Sequence, residues 1–133
     1  MSYIEVTAAI IQKDDRILAA QRSHDDELSH KWEFPGGKIE PDESAEECIV
    51  RELKEELNIE TKVTGYLGES EYDYGKKKIL LKAFFVEHIS GKLQAHVHQN
   101  IRWVNSAELK TLDWAAADIK LVDLLIKKLN QSN

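Results

Sequence analysis

The sequence predicts a single α/β domain in which helices cover both faces of a mixed β-sheet. Short apolar runs rich in β-branched residues are separated by turn signals, as is typical of strands. Two longer segments at separate points of the chain carry apolar residues at helical spacing. The 133 residues, of which 42% are apolar and 32% charged, are enough for one domain spanning residues 1–133.

The chain is predicted to begin with a β-hairpin. Residues 3–12 are a short apolar run that indicates a buried strand, Asp14 and Asp15 indicate a turn, and residues 16–22 indicate the returning strand. Residues 23–31 are polar and are expected to form a loop.

The first helix is predicted to follow Ser44. Residues 32–39 contain a proline and two glycines, so they cannot lie inside a helix. Ser44, with Glu47 three residues later, has the capping-box pattern of a helix start. We expect the helix to end near Leu57, because Asn58 tolerates the left-handed conformation found after many helices.

The second half of the chain is predicted to contain three strands and a final helix. Strand-like runs cover residues 61–74, 78–89 and about 99–104, with glycines near the turns. In residues 115–129 the apolar side chains recur at helical spacing, and Asp118 lies near the start of this segment.

Most of the net charge of −6 lies in one segment. Residues 42–56 contain seven acidic and two basic residues and therefore carry −5, which leaves about −1 for the rest of the chain. An acidic chain without a basic face is unsuited to binding a nucleic acid polymer. An anionic ligand needs a bridging cation to approach this segment.

The sequence offers no sign of a membrane or secreted location. No apolar run reaches the roughly 18 residues of a membrane span, and the first residues do not resemble a secretory signal. Cys48 is the one cysteine, so we expect no internal disulfide. The expected compartment is the cytoplasm.

The predicted acidic helix carries a candidate cation site. Spacings of three and four residues place Glu52, Glu55 and Glu56 on one face, beside the apolar face, and their mutual repulsion is relieved by a hard divalent cation such as Mg²⁺. Gly36 and Gly37 precede this helix and allow the backbone to approach a ligand, so a carbonyl there is a candidate further ligand. A solvated surface helix rich in glutamate is the alternative.

The spacing of these residues resembles the Nudix box, G-x5-E-x7-R-E-U-x-E-E-x-G-U. Gly37 is followed after five residues by Glu43, and after seven more by a run from Arg51 to Ile59 that matches every charged position. Asn58 stands where the pattern has glycine. The chain is most similar to the bacterial group that contains the MutT oxidised-guanine hydrolases and the CTP pyrophosphohydrolases.

The resemblance implies a function and a set of roles. Nudix enzymes are α/β/α sandwiches that hold one to three Mg²⁺ or Mn²⁺ ions on the diphosphate of a small nucleotide. In this group, water attack on a triphosphate yields a monophosphate and pyrophosphate. The implied metal ligands are Glu55, Glu56, the Gly36 carbonyl and Glu52. Glu52 is alternatively the base that takes the proton from the attacking water. The resemblance implies that Glu43 and Arg51 orient these carboxylates, and Glu43, Arg51, Glu52 and Glu55 form the implied catalytic set.

The substrate contacts are less defined. Arg22 matches an arginine of the group that contacts phosphate or base. Asp118 either caps the last helix or accepts from a base amino group, and Trp32 and Trp114 either stack on a base or belong to the core. The candidate substrate-binding residues are Arg22, Trp32, Phe34, Lys38, Trp114 and Asp118.

Two positions depart from the family pattern. Val97 aligns with a late glutamate that relatives use as metal ligand or base, so Glu52 must carry more of the base role, or His96, His98 or Gln99 must substitute. Ala117 aligns with the asparagine with which MutT enzymes read oxidised guanine, and this favours the CTP-hydrolysing members. A monomer and a homodimer both remain open, as do another nucleoside diphosphate substrate and a non-catalytic nucleotide sensor.

Overall fold

The computed structural model of the protein describes residues 3–22 and 30–131. Most of the predicted polar loop, residues 23–31, lies outside the described residues. Within them, no helix is long and apolar enough to cross a membrane. The elements in chain order are β1 (Ile4–Lys13), β2 (Arg16–Gln21), β3 (Trp32–Glu33), α1 (Ala45–Leu57), β4 (Glu60–Asp73), β5 (Lys78–Ser90), β6 (Asn100–Val104), α2 (Ser106–Leu109) and α3 (Ala116–Gln131).

The strands form a mixed sheet in the order β3-β2-β1-β5-β4, and β6 also pairs with β2. β1 runs parallel to β5 from Ile4 to Ile11, whereas the other strand pairs are antiparallel. β1 meets β2 only at the hairpin end, at Gln12 and Lys13. The first half of β1 therefore has a free edge on the side opposite β5, and the glycine-containing loop fills it, as described below.

Two apolar cores lie on opposite faces of the sheet. Successive side chains of β1 alternate between them, because neighbouring side chains of a strand point to opposite faces. Ala9 and Ile11 join the core beneath α1, and Ala8 and Ile10 join the core beneath α3. This three-layer arrangement of helix, sheet and helix is the α/β/α sandwich that the sequence predicted.

Two short elements were not predicted. β3 has two residues, Trp32 and Glu33, and pairs with the end of β2. α2 is a single turn that Asn105 and Glu108 stabilise through a capping box. Neither element is long enough to show the periodicity on which a sequence-based assignment depends.

Candidate active site

The acidic helix α1 is fixed at both ends. The Ser44 hydroxyl accepts the Glu47 N–H at 3.0 Å, and the Glu47 carboxylate accepts the Ser44 N–H at 2.9 Å. This is the predicted capping box. Asn58 at the other end has φ 62° and ψ 33°, the left-handed conformation expected at the glycine position of the motif. Asn58 therefore ends the helix in the conformation that the glycine of the motif would adopt.

The glycine-containing loop lies along the free edge of β1. The N–H groups of Thr7 and Ala9 donate to the carbonyls of Gly37 (2.8 Å) and Pro35 (2.7 Å), and Ile39 donates back to Glu5 at 3.0 Å. The loop therefore behaves as a short extra strand. It is held at a fixed distance from α1, whose Cys48 thiol contacts the carbonyls of Gly37 and Lys38, each at 3.4 Å.

Both glycines of this loop lie where a side chain cannot fit. A Cβ atom on Gly36 would lie 2.2 Å from the Thr7 carbonyl oxygen, and the φ of +154° at Gly36 is one that other residues rarely adopt. A Cβ atom on Gly37 would lie 2.4 Å from the carboxylate carbon of Glu52. The loop thus presses directly against the acidic face of the helix.

Arg51 gathers the carboxylates that surround it. It donates two hydrogen bonds to Glu43, from Nε at 2.7 Å and from Nη2 at 3.0 Å, and its Nη1 donates to Glu52 at 2.9 Å and to Glu55 at 3.2 Å. The hydrogen bonds from Arg51 are the main reason that the pKa of Glu43 is lowered to about 2. The orienting role that the resemblance implies for Glu43 and Arg51 agrees with these contacts.

Glu56 is the buried member of the acidic face. Its residue is only 6% exposed, and its Oε2 has no hydrogen-bond partner in residues 3–22 and 30–131. Burial raises the pKa of Glu56 strongly, with further increases from Glu52 and then Glu33 beside it and a small opposing effect from the backbone of Gly36. A buried carboxyl group with an unused oxygen and acidic neighbours is a suitable ligand for a cation.

Glu33 joins the site from β3, although the sequence did not single it out. Its Oε1 accepts from Arg22 Nη1 at 2.6 Å, and its Oε2 lies 2.8 Å from Nε2 of His98. His98 Nε2 also lies 3.7 Å from Oε1 of Glu56. The one available signal was that Glu33 is the only charged residue between Trp32 and Gly37.

The two aromatic rings of Phe34 and Trp114 belong to the core. Phe34 is 3% exposed and Trp114 is 6% exposed, and their ring centroids lie 4.7 Å apart. The Trp114 Nε1–H donates to the Leu109 carbonyl at 2.7 Å, so the polar atom of this ring is also satisfied. Both residues are therefore packing residues of the core, which for Trp114 was one of the two alternatives that the sequence left open.

The other predicted substrate contacts lie on both sides of the site. Trp32 is half-buried in β3, Arg22 is held against Glu33, and the side chain of Lys38 is exposed on the glycine-containing loop. Asp118 is buried in the first turn of α3, where its Oδ1 accepts the Phe34 N–H at 3.1 Å. This bond ties α3 to the loop before the acidic helix.

The segment that carries Val97 is attached to the end of α1. The N–H groups of Gln94 and His96 donate to the carbonyls of Leu57 and Glu56, at 3.0 and 2.9 Å. Val97 is 58% exposed, whereas the side chain of His98 is only 4% exposed and turns toward Glu56. Of the three substitutes considered for the missing carboxylate, His98 is the one whose side chain makes this contact.

The donor set suits a cation that also binds the substrate. Within the described part of the chain, no three His, Cys, Asp or Glu side chains form a ready-made metal cluster. Glu52 and Glu56 nevertheless lie side by side, and Oε2 of Glu56 is unused. Mg²⁺ is commonly bound by one or two carboxylates together with substrate phosphates, which this arrangement fits.

The protein thus combines a three-layer α/β/α sandwich with an acidic helix, an arginine that contacts its carboxylates and a glycine-containing loop, which suits an enzyme that binds a cation together with a phosphorylated substrate. A sequence model of the Nudix domain matches residues 1–125. The chain therefore belongs to the Nudix family. Nudix hydrolases generally need a divalent cation and act on small nucleotide substrates.

Individual relatives agree with this assignment. The chain is 44% identical over 123 residues to the CTP pyrophosphohydrolase of Escherichia coli K12, covering 92% of this chain and 91% of the relative. It is 30% identical over 119 residues to the 8-oxo-dGTP diphosphatase of the same strain, covering 89% and 92%. The solution structure of the E. coli ORF135 protein superposes with a TM-score of 0.87 at 42% identity, covering 96% of this chain and 91% of that one.

Proposed function

We propose that this protein is a Mg²⁺-dependent nucleoside triphosphate pyrophosphohydrolase that sanitises or balances the nucleotide pool. It converts a ribo- or deoxyribonucleoside triphosphate, with a normal, oxidised or otherwise modified base, to the monophosphate and pyrophosphate. Mn²⁺ substitutes for Mg²⁺. The cytoplasm remains the predicted compartment.

The observation that carries this proposal is the intact acidic face of α1. Arg51 contacts Glu43, Glu52 and Glu55, so all three carboxylates have a defined orientation. Oε2 of Glu56 is buried and has no hydrogen-bond partner among the residues that the structure describes. A protein that only sensed nucleotides would not need to keep this complete set of charges. The relatives named above as pyrophosphohydrolase and diphosphatase support the same reaction class.

We propose that Glu52, Glu55 and Glu56, with the Gly36 carbonyl, hold Mg²⁺ on the triphosphate. When bound, the ion acidifies water and neutralises the charge that develops on the phosphate oxygens. We assign to Glu52 the role of taking the proton from the attacking water, and the position of its carboxylate at the loop, beside Gly37, supports this assignment. Arg51 holds Glu52 and Glu55 in register, and Glu43 in turn fixes Arg51.

Nucleotide recognition is assigned to residues outside α1. Arg22 and Lys38 are proposed to contact phosphate, and Trp32 to contact the base. Asp118 is proposed to read a base amino group. Asp118 is buried and already accepts the Phe34 N–H, so its second oxygen is the one left for such a contact. A cytosine-type base offers a matching amino donor.

The proposal is tested by measuring pyrophosphate release from a panel of nucleotides with Mg²⁺. The panel contains CTP, dCTP, the other nucleoside triphosphates and 8-oxo-dGTP, together with a nucleotide sugar and a dinucleoside polyphosphate. We expect turnover of at least one triphosphate and a loss of about 10²–10³-fold or more in Glu52→Gln and Glu56→Gln, with the fold retained. Wild-type protein that turns over no nucleotide would refute the proposal, and near-normal rates in both variants would refute the assigned residues.

A further inference from the structure

We infer that His98 is a positioning residue of the cation site: its imidazole holds Glu33 apart from Glu56 and keeps the Glu56 carboxylate available for a divalent cation. The inference rests on the proposed function, which it deepens. It assigns a role to a residue outside the acidic helix and outside the family's sequence motif.

The inference starts from the position of one ring nitrogen. Nε2 of His98 lies 2.8 Å from Oε2 of Glu33 and 3.7 Å from Oε1 of Glu56. A carboxylate oxygen accepts, so Nε2–H is the donor of the short contact. The imidazole N–H therefore stands between two carboxylates, bonded to one of them and close to the other.

The ring has little freedom to leave this position. Its side chain is 4% exposed, and its Nδ1 is buried without a hydrogen-bond partner in the described residues. The hydrogen bond to Glu33 is thus the polar contact that sets the orientation of the ring. Glu33 is itself fixed, because its other oxygen accepts from Arg22 at 2.6 Å.

The backbone on both sides of His98 is also attached to the site. His96 N–H donates to the Glu56 carbonyl, and Gln99 N–H donates to the carbonyl of Gln21 at the end of β2, both at 2.9 Å. His98 lies between these two anchors. Any movement of the end of α1 therefore moves the imidazole together with Glu56.

Removing the imidazole changes the electrostatics around Glu56. The N–H group that now lies between Oε2 of Glu33 and Oε1 of Glu56 would be lost, and two carboxyl groups would face each other without a donor between them. Glu33 would keep its bond to Arg22 but would lose the contact that fixes its second oxygen. Groups that orient metal ligands in this indirect way commonly contribute about 10–100-fold to metal affinity or activity.

The test compares His98→Leu with His98→Gln. Leucine fills the space but cannot donate, whereas the glutamine amide can donate to Glu33. Binding of Mn²⁺ and of Mg²⁺, each without nucleotide, is measured by calorimetry. We expect His98→Leu to weaken binding by about 10–100-fold and to lower kcat more than it raises KM, and we expect His98→Gln to recover most of both.

His96→Leu is the matched control, because His96 lies on the same segment with an exposed side chain. It should leave cation affinity and kcat close to those of the wild type. A purely structural role for His98 predicts a lower Tm with unchanged cation affinity, and that result would overturn the inference. Unchanged affinity in both His98→Leu and His98→Gln would overturn it equally.

The experiment also separates this inference from the proposed function. Should the wild-type protein turn over no nucleotide, the reaction is wrong, yet the cation affinities of the His98 variants still decide the positioning role. If His98→Leu does not fold, His98→Ala takes its place, and equal cation affinities of His98→Ala and His98→Gln would overturn the inference. Cation affinity weaker in His98→Leu than in His98→Gln supports the inference.

Discussion

At the scale of single residues, the site contains two carboxyl groups that the fold accommodates against an electrostatic cost. Glu56 and Asp118 are 6% and 5% exposed, and burial is the main reason that the pKa of each is raised. Burying an ionised carboxylate opposes folding unless hydrogen bonds or a cation compensate. Such residues concentrate at functional sites, which is consistent with the roles proposed for both.

Asp118→Asn is expected to make the protein less sensitive to rising pH. Because the folded-state pKa of Asp118 is raised, its protonated form favours folding below the unfolded pKa of about 3.9, and this contribution is lost as pH increases toward the folded pKa. Asparagine does not titrate, and its Oδ1 still accepts the Phe34 N–H. The Tm of the variant minus that of the wild type should therefore increase between pH 5 and pH 8, measured with EDTA present.

Asp123→Asn is the control for this measurement, since Asp123 is exposed on the same helix. Its Tm difference from the wild type should stay nearly constant over the pH range. A Tm difference for Asp118→Asn that is equally constant would show that Asp118 does not titrate differently in the folded and unfolded states.

At the scale of elements, the loop and α1 work as one unit because two glycines allow them to touch. Gly37 contacts the Glu52 carboxylate, and Gly36 contacts the backbone of β1. The atoms nearest to Gly37 belong to the flexible end of the Glu52 side chain, whereas those nearest to Gly36 belong to the rigid backbone of β1. The two positions should therefore respond differently to the same substitution.

Gly37→Ala is expected to lower turnover and Gly36→Ala to lower stability. The alanine methyl at position 37 must displace the Glu52 carboxylate, and a misplacement of about 1 Å in a catalytic group can cost roughly 10²-fold in rate. At position 36 the methyl meets the Thr7 carbonyl at 2.2 Å, so a loss of about 1–3 kcal/mol or more is expected. Thermal unfolding and kcat are measured for both variants.

Gly75→Ala separates backbone strain from steric contact. Gly75 has φ +91° but no atom within 4 Å of an added Cβ, so this variant should show strain alone and an unchanged kcat. A Gly37→Ala protein with a normal rate would mean that Glu52 can shift without consequence.

The elements also show what the sequence could and could not predict. α1, its capping box and its stop at Asn58 were predictable because they depend on residues within four positions of one another. His98 and Glu33 are 65 residues apart, and only the sheet brings them together. The sequence identified His98 as one of three candidate substitutes for the missing glutamate, but it could not show which of the three side chains points into the site. Likewise, the sequence did not show whether the aromatic side chains of Phe34 and Trp114 belong to the core or contact a ligand.

At the scale of the whole molecule, the two faces of the sheet differ in the charge that lies beside their apolar cores. The core beneath α3 is the larger of the two and contains little charge apart from Asp118. The core beneath α1 is bordered by the acidic face, which is part of the segment 42–56 that carries −5 of the net charge of −6. A cation that binds this face should therefore stabilise the entire domain, because ligand binding to the folded state shifts the unfolding equilibrium.

Glu56→Gln is expected to raise the Tm in EDTA and to reduce the stabilisation by Mg²⁺. The raised pKa of Glu56 means that its ionisation destabilises the fold increasingly as pH rises above the unfolded pKa, and glutamine removes that penalty. A gain of about 1 kcal/mol would raise the Tm by roughly 2–8 °C. Tm is measured at pH 8 with EDTA, with MgCl₂ and with NaCl of equal ionic strength, so that general screening is subtracted.

Glu87→Gln makes the same charge change at an exposed position of β5 and should keep the full Mg²⁺ effect. If Mg²⁺ stabilises Glu56→Gln as much as the wild type, Glu56 is not the ligand that couples the cation to the fold.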